Sequence, residues 1–62
     1  MNNPMRGEWI SYGVLYANGN DFGGFDIHSA RRLAEIDERK GYICQVVRYI
    51  DGEIDFDWTD DD

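Results

Sequence analysis

A chain of 62 residues makes one domain, and a domain that small hides only about 60% of the surface its unfolded chain exposes, so stability is expected to be marginal. Thirteen acidic residues against six basic ones give a net charge of −7, which argues against direct binding to nucleic acid or to an anionic membrane and leaves a basic surface as the expected charged partner. A single cysteine, Cys44, excludes an internal disulfide, and with only one histidine, His28, a zinc shell would need carboxylates to complete it.

The composition is that of a folded chain, because 42% of it is hydrophobic and those residues fall in periodic blocks. Nine aromatic side chains offer the core that disulfides and metals do not. Residues 1–7 carry no apolar run of the secretory kind and are expected to form a flexible N-terminus before a single domain over residues 8–59. No segment is long enough to span a bilayer, so the expected compartment is the cytoplasm, with Cys44 reduced.

Trp9 to Tyr16 is rich in aromatic and β-branched residues and leads into Asn18-Gly19, a dipeptide suited to a two-residue hairpin turn. That turn places Tyr12 opposite Phe25. The return segment, Asp21 to Asp26, is a weak strand because Gly23 and Gly24 are adjacent in it and mark a bulge or a loop. Asp26 is the expected N-cap of a helix over Ile27 to Lys40, with Ala30, Leu33, Ala34 and Ile36 as its apolar stripe and Glu35 placed to pair with Arg39. Gly41 ends the helix, and Tyr42 is placed to fold back against Ile36.

Tyr42 to Ile50 reads as the strongest strand, and Asp51-Gly52 as a second two-residue turn. Glu53-Ile54-Asp55-Phe56-Asp57-Trp58 then alternates strictly between acid and apolar, which in a strand puts three carboxylates on one face and three anchors on the other. The implied register pairs Tyr49 with Ile54, Val47 with Phe56 and Gln45 with Trp58 under the helix. Arg48 with Asp55 and Val46 with Asp57 fall on the exposed side. Thr59 to Asp62 is expected to fray, residues 60–62 forming an acidic tail. The sum is an α+β fold, a small antiparallel sheet in the sequence order β-β-α-β-β with one helix on one face.

Catalytic chemistry has little to work with. Cys44 falls mid-strand and His28 in the first turn of the helix, so neither forms a nucleophile–base–orienter set, and no enzyme activity is expected. Asp51, Glu53, Asp55 and Asp57 alternate like the early ligands of a calcium loop, but the glycine at the sixth position, the glutamate at the twelfth and the flanking helices are missing. Neither Asn18-Gly19-Asn20 nor Gly23-Gly24 has the spacing of a phosphate-binding loop. No metal or cofactor is expected.

The acidic strand is the distinctive surface. Carboxylates at alternate strand positions lie about 6.6–6.8 Å apart, close to every second phosphate along one DNA strand by axial rise. Asp51, Glu53, Asp55, Asp57, Asp60 and Asp61 are therefore the expected contact residues for a basic groove, in the manner of small acidic inhibitors such as phage-encoded blockers of restriction, repair or CRISPR nucleases. The analogy is one of function class. The competing reading is an interaction module or accessory subunit, a homodimer in its simplest form, that binds through exposed aromatics such as Trp9, Tyr12 or Tyr16.

Overall fold

The two segments richest in β-branched and aromatic residues, Ile10–Tyr16 (β1) and Cys44–Ile50 (β3), pair antiparallel along their full lengths, from Ile10 opposite Ile50 to Tyr16 opposite Cys44. Asp21–Phe25 (β2) flanks β1 and Glu53–Asp55 (β4) flanks β3, so the sheet order is β2-β1-β3-β4 with every pairing antiparallel. Ile27–Arg39 (α1) carries the chain from the β2 edge back to β3. The computed structural model describes residues 9–60, and the α+β architecture read from the sequence is the one found. The expected flexible segment 1–7 lies outside the described residues, as do Asp61 and Asp62. No helix among the described residues is long and apolar enough to cross a membrane.

The first hairpin reaches its expected pairing by an unexpected route. Tyr16 N–H donates to the Asn20 carbonyl at 2.8 Å and Gly19 N–H to the Tyr16 carbonyl at 2.9 Å, which makes the loop three residues, Ala17-Asn18-Gly19, rather than two. Leu15 therefore faces Asp21 and Val14 faces Phe22, one position out of the expected register. A bulge then sets Gly23 and Gly24 against Gly13 alone, and Tyr12 regains Phe25. Gly24 sits there at φ +89°, a conformation that any side chain would strain. The second hairpin is the expected two-residue turn, with Asp51 and Gly52 both at positive φ, 53° and 88°.

Asp26 caps α1 by accepting the Ser29 N–H at 3.3 Å. At the other end Gly41 N–H donates to the Glu38 carbonyl and Tyr42 N–H to the Asp37 carbonyl, a double closure that satisfies two orphan carbonyls and stops the helix. Glu35 and Arg39 form the expected surface pair at 3.0 Å. The Tyr42 ring meets Tyr16 instead of covering Ile36, which stays exposed.

The sheet faces are the reverse of the expected ones. The Cys44 thiol donates to the Ala34 carbonyl at 3.7 Å, so the helix lies over the parity that includes Cys44, Val46 and Arg48 on β3 and Tyr12, Val14 and Tyr16 on β1. Val14 is 0% exposed there, beneath Ala30 and Ala34, whose small side chains let the helix approach closely. Val47 and Tyr49 point the other way and are buried as well. Alternation tells which residues share a face, yet not which face receives the helix, and β3 is apolar at both parities.

The fourth strand also stops early. Arg48 faces Asp55, Tyr49 faces Ile54 and Ile50 faces Glu53 as expected, but Phe56 and Asp57 are turn residues, so the pairs Val47–Phe56, Gln45–Trp58 and Val46–Asp57 do not form. The cause is Asp55. Its carboxylate accepts the Asp57 N–H at 3.1 Å and its carbonyl the Trp58 N–H at 3.2 Å, which bends the chain off the sheet edge. Phe56 is left 76% exposed, while Trp58 packs on Tyr12 with ring centroids 5.5 Å apart.

Gly13 is the position with least freedom, since a Cβ there would lie 1.9 Å from the Phe22 carbonyl oxygen. Gly13→Ala is expected to lower the unfolding free energy by about 3 kcal/mol, the upper end of ordinary overpacking, because the clash is with backbone. A urea titration of the variant checks it, and an unchanged midpoint would refute the close approach of β2 to β1.

Candidate functional site

The carboxylates expected to form a ridge are distributed to different tasks. Asp55 is 14% exposed on the helix side, where it accepts from Arg48 Nε at 3.2 Å and Nη2 at 2.5 Å, and the Arg48 guanidinium holds its carboxyl below the usual carboxylate range. Asp60, expected to fray, is 19% exposed and engaged by both Nε and Nη2 of Arg31 at 3.1 and 2.8 Å. Asp51 sits in the β3–β4 turn, accepting the Trp9 N–H at 2.9 Å. Glu53 and Asp57 are exposed, but Glu53 lies on β4 and Asp57 in the turn beyond it. Asp61 lies outside the described residues. A continuous row at strand spacing is therefore not formed, because two of its members are drawn inward by arginines.

What the fold does assemble is an aromatic end. Tyr16 closes β1, and its ring is met edge-on by Phe22 at 5.9 Å and by Tyr42 at 6.2 Å, with interplanar angles of 83° and 88°. Phe22 and Tyr42 are both more than half exposed, and the neighbouring Ile43 is 76% exposed. A groove of about 380 Å³ runs between Phe22 and Tyr42, with Asn18, Asn20 and Lys40 among its polar borders. Trp9 is exposed at the opposite end of the strands, and Tyr12 is half-buried against Trp58, so of the three aromatics expected to be exposed only Tyr16 belongs to this cluster.

Asp37 fixes the arrangement. Its carboxylate accepts the Tyr16 hydroxyl, while its main-chain carbonyl accepts the N–H groups of Lys40 at 3.0 Å and Tyr42 at 3.1 Å. One residue thus ties the last residue of β1, the C-terminus of α1 and Tyr42 together. The hydrogen bond to Asp37, with help from burial, pushes the Tyr16 phenol up to about 12. A second hydroxyl–carboxylate pair, Tyr49 to Asp21 at 2.6 Å, anchors β2 across the other face, and burial ahead of that bond raises the Tyr49 phenol too.

The sequence holds signals for this cluster in retrospect. Tyr42 follows the glycine that ends the helix and Ile43 precedes the first paired residue of β3, so both stand where neither helix nor sheet can cover them. Phe22 is placed beside Tyr16 by the three-residue loop, which the Asn18-Gly19 dipeptide disguises.

Cys44 lies in β3 with its thiol donating to the Ala34 carbonyl. His28 is exposed in the first turn of α1, and the Cys44 thiol is pushed up by burial first and by the carboxylates of Glu38 and Asp37 second. Among the described residues no three His, Cys, Asp or Glu side chains converge as a metal ion would require. No protein-family model, no curated protein and no solved structure matches the chain.

The raised Tyr16 phenol has a defined consequence at alkaline pH. The unfolded phenol loses its proton near its ordinary value of 10.0 and the folded one only near 12, so the stabilisation is complete below pH 10 and is lost as pH rises from there to about 12. Tyr16→Phe is expected to cost about 1.5 kcal/mol at neutral pH, as for a hydrogen bond to a charged group, and to flatten the alkaline decline. Denaturant titrations at pH 8 to 12 on both proteins provide the check.

Proposed function

We propose that this chain is a small non-enzymatic binding module that engages a partner protein through its aromatic end, with Phe22, Tyr42 and Ile43 as the contact residues and Tyr16 as their support. The observation that carries the reading is the pair of exposed rings, Phe22 and Tyr42, each set edge-on against the half-buried Tyr16 beside the exposed Ile43. Aromatic side chains with few rotatable bonds, already held in place, lose little entropy on binding and dominate interface energetics. The excess of acid serves solubility and repels polyanions.

The alternative, imitation of nucleic acid toward a basic groove through Asp51, Glu53, Asp55, Asp57, Asp60 and Asp61, now rests on net charge. Arg48 and Arg31 already neutralise Asp55 and Asp60, and Asp57 has left the strand. Salt separates the two readings. An apolar contact is expected to survive about 1 M salt, where the Debye length falls to about 3 Å, whereas binding to a polyanion site fails steeply.

The experiment is retention of the native partner on immobilised protein at rising salt, with two double variants. Phe22→Ser with Ile43→Ser is expected to weaken binding at least about thirtyfold, the equivalent of a lost 2 kcal/mol anchor, and Glu53→Gln with Asp57→Asn to leave it unchanged. Elution by moderate salt together with loss in the carboxylate variant would transfer the conclusion to polyanion imitation.

A further inference from the structure

We infer that the outer edge of β3 at residues 44–47 is an acceptor site for an added β-strand, and that its occupant is an extended, basic segment of a partner protein. The phase of the ladder is fixed at both ends. Ala17 N–H donates to the Ile43 carbonyl and Asp51 N–H to the Trp9 carbonyl, so the odd-numbered residues from Ile43 to Asp51 turn their main-chain groups toward β1. The even-numbered residues turn theirs the other way. Of these, Arg48 and Ile50 face β4, but Cys44 and Val46 lie beyond its end. Among the described residues no strand stands beside them on that side, because the Asp55 turn takes the chain away and the Trp58 and Asp60 contacts hold it on the helix side. Two N–H and two C=O groups at strand spacing are thereby presented to an incoming chain.

The same edge borders a cleft of about 400 Å³ between β3, α1 and the tail. Its walls carry Glu35, Glu38, Asp60 and Arg31, with Trp58 at the side; Arg31 takes Asp60 and Arg39 takes Glu35, which leaves the exposed Glu38 as the carboxylate offered to an incoming cation. A strand laid along residues 44–47 would be about 13 Å of extended chain, and by its period of two every second side chain would project on the helix side, where Glu38 borders the cleft. A lysine or arginine projecting on that side would pair with Glu38. A second copy of this chain does not fit, since each copy carries a net charge of −7 and would bring the same carboxylates together. The site lies on the flank of α1 that carries Arg31, Glu35 and Glu38, away from the flank carrying Asp37 and Lys40 where the aromatic end is built, so it is a second binding surface.

The test is an NMR titration of the whole isotope-labelled protein with a blocked peptide of alternating lysine and valine, with a glutamate–valine peptide as control. The amides of Cys44 and Val46 are expected to shift and to exchange about tenfold more slowly with the basic peptide, while those of Gln45 and Val47, already paired to β1, stay unchanged. Glu38→Lys, an exposed substitution, is expected to weaken the response about tenfold without unfolding the domain. No response at about 5 mM basic peptide, an equal response to the acidic one, or shifts centred on β2 or on Phe22 and Tyr42 would overturn the inference. So would protection of Cys44 and Val46 in the free protein, whether constant or rising with protein concentration, since the edge would then be closed by the chain itself or by a second copy.

Discussion

The structure depends on one close approach of backbone to backbone. Where Gly13 meets the Phe22 carbonyl there is no room for a side chain, and a Cβ on Gly23 would likewise lie 2.7 Å from the Tyr49 ring. These two glycines let β2 curl inward at its bulge, so that Gly23 lies on the ring of Tyr49 and Asp21 reaches the hydroxyl of the same residue. Tyr49 is thereby 6% exposed on the face that has no helix. A sheet of four strands and one helix would ordinarily leave that face to solvent, and a chain this short has little other apolar area to bury.

Burial on the helix side follows a different logic, because the area under a thirteen-residue helix is too small for the whole sheet. Ala30 and Ala34 bring α1 down onto Val14, and the C-terminal segment covers part of the remaining face, with Trp58 on Tyr12. Two arginines make that possible: Arg48 takes Asp55 and Arg31 takes Asp60, and between these clamps Trp58 is laid on Tyr12. The negative charge of the C-terminal segment thus works partly as internal fastening. A half-buried arginine–carboxylate pair orients both partners more strictly than a fully solvated one, and here that orientation decides where the chain goes after β4.

The order of elements, the N-cap at Asp26, the end of the helix at Gly41 and the turn at Asp51-Gly52 were all legible in the sequence, because each rests on a local preference that the tertiary structure does not override. The fate of residues 53–58 was not. Six alternating residues satisfy the pattern of a strand, yet Asp55 closes a turn on itself through Asp57 and Trp58, and alternation alone does not distinguish the two. The first hairpin shows the same limit: a longer loop and a compensating bulge leave Tyr12 opposite Phe25, so a correct pair was read from an incorrect turn. The aromatic end was illegible for a related reason, since its members come from β2, the end of β1 and the chain after the helix, and periodicity within any one element says nothing about convergence between elements.

Asp37 shows how such a convergence is made stable in a marginal domain. Three hydrogen bonds end on it, one from a tyrosine hydroxyl to its side chain and two from main-chain N–H groups to its carbonyl, so the ring of Tyr16 and the chain at Tyr42 cannot move independently. Phe22 then rests on a ring that is already fixed. The exposed edge of β3 is defined in the same manner, by the Asp55 turn that removes the chain from it and by the full-length pairing with β1 that keeps it straight. In both places a carboxylate that looks like surface charge in the sequence serves as a structural joint, and the surfaces left available for binding are those the joints hold open.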